Sequence, residues 1–307
     1  MYFIGVSTTR SMIMKVFPVW SGILGLGDCE LRGIDLAIHD DPRRYRAVVE
    51  FIRDDPLSLG ALVTTHKIDL LHAARDLFDD LDAFASLMGE VSAVAKSDGR
   101  LAGAAKDPIS SGLALQAFVP TGYWEKTRAC ALILGAGGSS IALSSYLADR
   151  AHGADRPAGI YVTNRSAGRI DAIRAIHKAQ GVDIPVRYEV TPRPEDNDRV
   201  LGQLPTGSLV ANATGLGKDG PGSPITDGAL FPERGLAWDF NYRGELAFLR
   251  QARAQEASRH LHVEDGWLYF IYGWLSVIAE VFHRDIPLRG PEFDRLRAAA
   301  DAARPRA

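Results

Sequence analysis

Short apolar runs of strand length alternate with longer helical patterns along most of the chain. The clearest example is the apolar run 129–134, which leads into a glycine-rich turn and then into the helix-compatible residues 141–150. Further strands are predicted at 160–164, 186–190, 208–214 and 236–242, with a helix at 168–180. This alternation predicts a Rossmann-type, doubly wound parallel sheet in a dinucleotide-binding domain that spans residues 108–260.

A second, smaller alternation precedes this domain. Its predicted strands lie at 2–6, 34–38, 61–64 and 91–95, and its predicted helices at 42–53 and 68–78. We therefore expect a smaller α/β substrate domain over residues 1–107. Two helical patterns, 267–283 and 291–303, follow the sheet domain without a further strand, so residues 261–307 are expected to complete the first domain. The predicted fold class is α/β.

The length and composition fit a globular protein with two domains. A single core usually stops growing below ~250–300 residues, and this chain has 307. Its net charge of −3 is spread over interspersed acidic and basic residues, so the sequence lacks the basic surface that nucleic acid or an anionic membrane requires. A small-molecule substrate is the expected partner, and no pattern in the sequence indicates an oligomeric state.

Cysteine usage and the N-terminal pattern predict a cytoplasmic location. Cys29 and Cys130 have no histidine at ligand spacing, which argues against a disulfide framework and a structural zinc site, and no metal is predicted. Residues 1–20 carry Arg10 and Lys15 inside their apolar stretch, unlike a signal peptide. The uncharged stretch 266–279 is shorter than the ~18–20 residues that a membrane span needs. We expect it to form a buried helix.

The glycine-rich turn is the first candidate binding element. Gly135, Ala136, Gly137, Gly138 and Ser139 stand where the strand must turn sharply into the helix. Glycine lets the backbone approach a pyrophosphate closely, and free N–H groups at a helix start attract an anion. A glycine turn by itself is equally compatible with a purely structural role, but its strand–turn–helix context favours dinucleotide binding.

The end of the second predicted strand indicates which dinucleotide is bound. Asn164, Arg165 and Ser166 stand there, followed by Arg169, where a protein that binds NAD usually has an acidic residue for the ribose hydroxyls. Arginine at this place accommodates a 2′-phosphate, so NADP is the predicted cofactor, with NAD as the alternative. The competing interpretation is that both arginines are solvated residues at a helix start. Asp171 lies one turn inside the helix and is poorly placed for the ribose.

Six segments, in one order along the chain, resemble motifs of the shikimate/quinate dehydrogenase family. Residues 61–67 are similar to Asn-Val-Thr-x-Pro-x-Lys and residues 103–107 to Gly-x-Asn-Thr-Asp, with Lys67 and Asp107 matching. The other four are the turn 135–139 (Gly-Ala-Gly-Gly-Ala), residues 164–166 (Asn-Arg-Thr), residues 212–214 (Asn-Ala-Thr), and Asp239 with Tyr242 (Asp-x-x-Tyr).

This resemblance implies a catalytic pair, Lys67 and Asp107, at a cleft between the two domains. It also implies that Thr214 contacts the cofactor and that Ser11 and Tyr242 contact the substrate. The chemistry is consistent with the pair, because oxidation of a secondary alcohol transfers a hydride to the nicotinamide and a proton to a base, and a lysine can be that base. Asp107 would orient the ammonium group and share the substrate hydroxyl.

The departures from the family pattern fall on substrate-binding positions. The family begins with Gly-x-Pro-Ile-x-His-Ser-x-Ser-Pro, whose two hydroxyls bind the substrate carboxylate; here Ser11 remains and Ile13 replaces the second serine. Ala61 and Ala105 stand where the family has asparagines, and Lys106 replaces the threonine before the catalytic Asp. The family's late glutamine, from a Gly-x-Gly-Met-Leu-x-x-Gln pattern, is missing near residues 272–273.

These losses predict a substrate other than shikimate. Unpaired polar groups cost ~1–3 kcal/mol each, so a pocket without its hydrogen-bonding side chains should lose its preference for a polyol. Arg10 and Lys106 are candidate replacements for the carboxylate anchor. The alternative is that Lys106 points to solvent and that Arg10 caps the neighbouring helix.

Two functions from different classes fit this sequence. The first is an NADP-dependent dehydrogenase that uses Lys67 and Asp107. The second is a non-catalytic dinucleotide-binding sensor whose substrate pocket has decayed. The retained pair favours the dehydrogenase, because loss of catalysis would let both residues drift as readily as the serine, asparagine and glutamine positions did.

Overall fold

The computed structural model describes residues 1–218 and 220–304. The chain divides into two compact units, the first made of Met1–Lys106 and Ile271–Ala307 and the second of Asp107–Phe270. The domain limits predicted from the sequence stay predictions, and residues 305–307 of the predicted first domain lie outside the described residues.

The first unit contains a mixed six-stranded sheet in the order β2-β1-β3-β5-β6-β4. Its strands are β1 Tyr2–Gly5, β2 Arg32–Asp35, β3 Gly60–Val63, β4 Asp80–Leu81, β5 Ala93–Ser97 and β6 Arg100–Ala104. Strand β1 runs parallel to β2 and β3, whereas β5 runs antiparallel to β3 and β6. The carboxyl ends of β1, β2, β3 and β6 therefore meet at one edge of this sheet, and that edge carries the predicted substrate segments.

Five helices of the described residues lie in this unit, and a sixth, α12, begins four residues before it, in the second unit. They are α1 Ile13–Leu24, α2 Pro42–Asp54, α3 Lys67–Ala74, α4 Ala83–Met88, α12 Trp267–Val281 and α13 Pro291–Ala303. Asp41 caps α2 by accepting from the N–H of Arg43, and Pro42 occupies the first position, where its missing N–H costs nothing. Trp20 of α1 is fully buried and donates to the carbonyl of Leu296 at 2.7 Å, which attaches α13 to α1.

The second unit contains a six-stranded, fully parallel sheet in the order β12-β11-β10-β7-β8-β9. Its strands are β7 Ala131–Leu134, β8 Ile160–Asn164, β9 Val186–Val190, β10 Leu209–Asn212, β11 Leu236–Asp239 and β12 His262–Glu264. Its helices are α5 Asp107–Gln116, α6 Tyr123–Thr127, α7 Gly138–Ala148, α8 Ala167–Gln180, α9 Pro194–Leu201, α10 Ala247–Arg253 and α11 Glu256–Arg259. From β7 the chain adds β8 and β9 on one side and then β10, β11 and β12 on the other side of the sheet. This strand order confirms the predicted α/β fold with a Rossmann-type doubly wound sheet.

The central strands of this sheet are apolar along their whole length. Every residue of β7, β10 and β11 is buried, as expected for strands that are covered on both faces. The topological switch between β7 and β10 places the carboxyl ends of these strands where open α/β sheets usually bind their ligands.

Strand β12 was not predicted from the sequence. It has three residues, its first side chain is exposed and the other two are half-buried, and it pairs with β11 through Leu236 and His262. A strand this short and polar carries neither an apolar run nor a clear alternation, so only its pairing with β11 defines it.

The apolar stretch 266–279 falls within helix α12, whose aromatic and aliphatic side chains are mostly buried. Within residues 1–218 and 220–304, no helix combines the length and the apolar character that a membrane span requires.

Candidate functional site

The glycine-rich turn connects β7 to α7. Gly135 has φ +111°, which side-chain-bearing residues rarely adopt, and a Cβ there would lie 3.0 Å from the carbonyl oxygen of Ala213. Its N–H donates to the carbonyl of Thr163 at 2.8 Å, which ties the turn to the neighbouring β8. The turn therefore requires glycine at this position for its geometry alone.

Gly137 and the start of α7 form the part of the turn that suits an anion. Gly137 is the N-cap of α7, no side chain of the described residues caps this helix, and no heavy atom lies within 4 Å of where a Cβ of Gly137 would be. The backbone around Gly137, Gly138 and Ser139 is half-buried. An open approach to uncapped N–H groups at a helix start fits a pyrophosphate.

The end of β8 presents two cations. Asn164 ends the strand and donates to the carbonyl of Ser166 at 3.3 Å, and Ser166 is the N-cap of α8. Arg165 and Arg169 are exposed, and neither forms a salt bridge with any described residue. Because β7 pairs in parallel with β8 through Leu134 and Thr163, these cations share an edge with the glycine turn. Their position suits a phosphate on the ribose.

Asp171 does not belong to this group. Its carboxylate lies 3.0 Å from the guanidinium of Arg174, one turn along α8. The charge of Asp171 is thus compensated by Arg174, and Asp171 does not neutralise Arg165 or Arg169.

Two further loops are tied together at the ends of β10 and β11. Asn212 donates to Asp239 Oδ1 at 3.1 Å, and the backbone N–H of Asn241 donates to the same oxygen at 2.9 Å. Thr214 donates to the side-chain oxygen of Asn212 at 2.6 Å, and Asn241 donates to the carbonyl of Thr214 at 3.2 Å. The half-buried Thr214 is thus held between the two strand ends.

Asp239 is the centre of this network and is fully buried. Its second oxygen, Oδ2, has no hydrogen-bond partner among the described residues. Burial raises the pKa of Asp239 to about 7, against the lowering effect of its hydrogen bonds from Asn212 and Asn241. The carboxyl group therefore carries its proton in the folded protein over a wider pH range than an exposed aspartate does.

Tyr242 belongs to an aromatic cluster with Trp267 and Phe270. The ring of Tyr242 lies 5.3 Å from Trp267 and 4.8 Å from Phe270, and the two latter rings are stacked. Tyr242 is half-buried, so part of its surface remains open at the carboxyl end of β11.

In the first unit, the loop after β1 carries Ser11 and Arg10. Thr8 in this loop binds Asp35 at the end of β2 through both its hydroxyl and its N–H, at 2.6 and 2.8 Å. Ser11 is half-buried, whereas Ile13, at the position of the missing serine, is fully buried as the first residue of α1. An apolar core contact has replaced a polar ligand there.

Lys67 begins helix α3, directly after β3. It is half-buried. Its backbone N–H donates to the carbonyl of Thr64 and its carbonyl accepts from the N–H of Val91, so both backbone groups are held. The neighbouring His66 is buried and bonds Tyr45 at 3.0 Å through Nδ1. Burial also lowers the pKa of His66, because desolvation disfavours its charged form. His66 therefore has a structural role in the core of the first unit.

Lys106 and Arg10 differ in their electrostatic surroundings. Lys106 Nζ lies 2.7 Å from Glu280 Oε2, and its side chain is 15% exposed. Arg10 is exposed and has no salt bridge with a described residue. Because the charge of Lys106 is already compensated within the first unit, Arg10 is the better candidate to bind a substrate carboxylate. Ala61 and Ala105 are both fully buried.

Asp107 begins helix α5 in the second unit and is 6% exposed. Tyr269 donates its phenolic hydroxyl to Asp107 Oδ2 at 3.1 Å. The sequence predicted only a buried helix for residues 266–279 and gave no sign of this bond, because nothing in a sequence links residues 162 positions apart. No group of three or more His, Cys, Asp or Glu side chains in residues 1–218 and 220–304 is arranged to hold a metal ion.

Comparison with known proteins identifies relatives of this chain. No protein-family model matches it. A curated relative from Methylobacterium radiotolerans, named shikimate dehydrogenase (NADP(+)), is 30% identical over 235 residues, which cover 73% of this chain and 76% of the relative. The chain belongs to the shikimate dehydrogenase family.

Two solved structures share the fold of this family member. Shikimate 5-dehydrogenase from Thermus thermophilus, in complex with NADP(H) and shikimate, is 24% identical with a TM-score of 0.70 over 98% of both chains. A 5-ketofructose reductase from Gluconobacter sp. is 18% identical with a TM-score of 0.71, covering 98% of this chain and 97% of that one. Both likenesses concern the fold.

The buried carboxyl group gives the first testable prediction for this shikimate dehydrogenase relative. The folded pKa of Asp239, about 7, is above the unfolded value of ~3.9, so the folded protein binds more protons between these pH values. The free energy of unfolding should therefore fall as pH rises through this window, by as much as ~4 kcal/mol. Asp239→Asn cannot ionise and should lose this dependence, as measured by urea unfolding at pH 5 and pH 8.

Asp171→Asn is the matched control, because the Asp171 side chain is 70% exposed in the same unit. It should follow the wild-type protein at both pH values. A stability difference between Asp239→Asn and wild type that is the same at pH 5 and pH 8 would show that Asp239 is already ionised at pH 5.

Proposed function

We propose that the protein is an NADP-dependent dehydrogenase that transfers a hydride between the nicotinamide and a secondary alcohol or ketone of a small, carboxylate-bearing substrate other than shikimate. The observation that carries this proposal is that the catalytic residues of the family are retained while its substrate-binding residues are replaced. Lys67 and Asp107 are retained, whereas Ile13, Ala61 and Ala105, at positions where the family has polar substrate ligands, are apolar and fully buried.

The residues at the carboxyl ends of β7, β8 and β10 fit NADP. The N–H groups at the start of α7 would hold the pyrophosphate, because Gly137 leaves their approach open. Arg165 and Arg169 would hold the 2′-phosphate, and Thr214 would contact the cofactor from the end of β10. Bound NADP⁺ supplies the hydride acceptor. Names of the relatives support this choice, since the Methylobacterium protein is called a shikimate dehydrogenase (NADP(+)).

Lys67 and Asp107 divide the acid–base work. When the carbinol carbon gives its hydride to the nicotinamide, its hydroxyl proton would pass to the amine of Lys67, which becomes an ammonium group, and the C–O bond would become a carbonyl. Asp107 accepts a hydrogen bond from the substrate hydroxyl and orients the ammonium group. In the direction of reduction, Lys67 returns the proton to the carbonyl oxygen.

The substrate pocket favours an anionic substrate with fewer hydroxyl groups. Arg10 would bind its carboxylate beside the retained Ser11, because Lys106 already forms an ion pair with Glu280. By the resemblance to the family, Tyr242 would also contact the substrate. The fold accommodates other carbonyl substrates, because a neighbour of the same fold is named for the reduction of 5-ketofructose. The free thiols of Cys29 and Cys130 are compatible with a cytoplasmic enzyme.

The arginines at the end of β8 predict a preference for NADP over NAD. Arg165→Ala should weaken NADP⁺ binding by about tenfold or more, because it removes one charge-assisted contact to the 2′-phosphate, and should leave NAD⁺ binding nearly unchanged. Calorimetric titration with both nucleotides measures this. Arg174→Ala is the control on the same helix, as Arg174 already pairs with Asp171. Equal affinity of the wild-type protein for NAD⁺ and NADP⁺ would contradict the assignment.

Shikimate and quinate are predicted to be poor substrates. Each missing polar partner costs about tenfold in binding, so kcat/KM for shikimate should lie well below the ~10⁴ M⁻¹s⁻¹ of ordinary enzymes. A panel of cyclic and acyclic hydroxy acids, assayed for NADPH formation, should contain a better substrate. Efficient turnover of shikimate would instead restore the usual activity of the family.

Catalysis and cofactor binding should separate by mutation, because Lys67 lies in the first unit and the glycine turn in the second. Lys67→Ala should bind NADP⁺ normally and lose ~10²–10⁴-fold in turnover of the best substrate. Gly137→Val should fold, since its backbone is extended and its surroundings are open, but should bind NADP⁺ poorly.

Lys15→Ala is the control for removal of a lysine, because Lys15 is an exposed residue of the first unit. Near-normal turnover by Lys67→Ala would mean that another group is the base. Absence of turnover across the whole panel, with NADP⁺ still bound, would favour a dinucleotide-binding sensor.

A further inference from the structure

The hydrogen bond between Tyr269 and Asp107 is the feature of the second unit that the proposed function leaves unused. Asp107 is nearly buried at the start of α5, and a buried carboxyl group is costly unless its oxygens accept hydrogen bonds. Tyr269 supplies one at 3.1 Å from Oδ2. A carboxylate has about four acceptor sites, so this bond still lets the group accept from a lysine and a substrate hydroxyl.

The tyrosine ring is held by aromatic contacts on β11 and its following loop. It packs edge to face against Phe240 at 4.7 Å and against Trp238 at 6.4 Å. Trp238 is itself fixed, since its indole N–H donates to the carbonyl of Asp265 at 3.2 Å. These contacts leave the phenol little freedom to turn away from Asp107.

The start of α12 is also anchored to the sheet. A Cβ at Gly266 would lie 2.0 Å from the carbonyl oxygen of Phe240, so the helix begins in close backbone contact with the end of β11. The N–H of Gly266 donates to the carbonyl of Asn241, and Asp265 caps the helix by accepting from the N–H of Trp267. Tyr269 therefore projects from a rigid first turn.

The hydroxyl is a feature of this chain rather than of the family pattern. When Gly266 is matched to the first glycine of the Gly-x-Gly-Met-Leu-x-x-Gln pattern, position 269 falls on the methionine, which has no hydroxyl. The threonine that precedes the catalytic Asp in the family is here Lys106, which pairs with Glu280. The surroundings of the Asp have thus changed at two positions, and one change adds a donor.

We propose that Tyr269 is a positioning residue of the dehydrogenase reaction, whose phenolic hydroxyl orients the carboxylate of Asp107. This inference rests on the proposed function, because it assigns Asp107 to the acid–base pair. Tyr269 acts through Asp107 and does not exchange a proton with the substrate. Removal of the hydroxyl should lower the rate of the chemical step while the affinity for NADP⁺ stays unchanged.

The test is a double-mutant cycle on the full-length protein, with Tyr269→Phe, Asp107→Asn and the combined variant. Steady-state kinetics with NADP⁺ use the most active hydroxy acid of the panel. Phenylalanine keeps the ring contacts with Phe240 and Trp238. Tyr269→Phe should lower kcat about 10- to 100-fold, the range expected for loss of a hydrogen bond to a charged group, with little change in KM for NADP⁺. In the Asp107→Asn background the same change should have almost no further effect.

Tyr123→Phe is the matched control, since Tyr123 lies in the same unit and its hydroxyl donates to the carbonyl of Gly207 at 2.6 Å. Loss of its hydroxyl should leave kcat unaltered. Infrared difference spectra provide a measurement that needs no substrate. The carboxylate stretching band that disappears in Asp107→Asn should be shifted in Tyr269→Phe and unchanged in Tyr123→Phe.

Each other outcome is decisive. An unshifted carboxylate band, or normal kcat in Tyr269→Phe while Asp107→Asn is impaired, overturns the positioning role and leaves the proposed function intact. Additive losses in the double variant overturn it as well, because Tyr269 would then act independently of Asp107. Normal kcat in Asp107→Asn, or no turnover of any panel member, refutes the assignment of the catalytic pair and the role of Tyr269 with it.

Discussion

The hydrogen bonds that the buried Asp239 accepts hold the candidate site of the second unit together. Parallel pairing brings the ends of β10 and β11 side by side, but it does not fix the loops that follow them. Asp239 does so by accepting from Asn212 and from the backbone of Asn241, which in turn bind Thr214. The desolvation that raises the pKa of this carboxyl group is the cost of joining both loops at one buried point.

The sequence predicted the features that depend on local pattern. Continuous apolar runs marked β7, β10 and β11, and the glycines after β7 marked a turn whose geometry at Gly135 accepts no other residue. The six ordered motifs indicated the family from the sequence alone. The sequence could also place Arg165 and Arg169 at a strand end, since that requires only the length of β8 and the start of α8.

Features that depend on tertiary contacts escaped prediction. Strand β12 is defined by its pairing with β11, and the role of Lys106 by its ion pair with Glu280, 174 positions away in the sequence. The hydrogen bond from Tyr269 to Asp107 belongs to the same class. In each case the side chain or segment is unremarkable by itself, and its partner comes from a part of the chain that no periodicity connects to it.

The charge distribution along α8 and the neighbouring strands gives an argument for a bound anion. Several other arginines of the second unit lie beside carboxylates; for example, Arg156 pairs with Asp183 and Arg174 with Asp171. Arg165 and Arg169 are four positions apart at the start of α8 and have no such partner among the described residues, although cations at a helix N-terminus oppose the helix dipole. Two like charges in this position reduce stability slightly, and a phosphate bound between them would reverse the sign of that contribution.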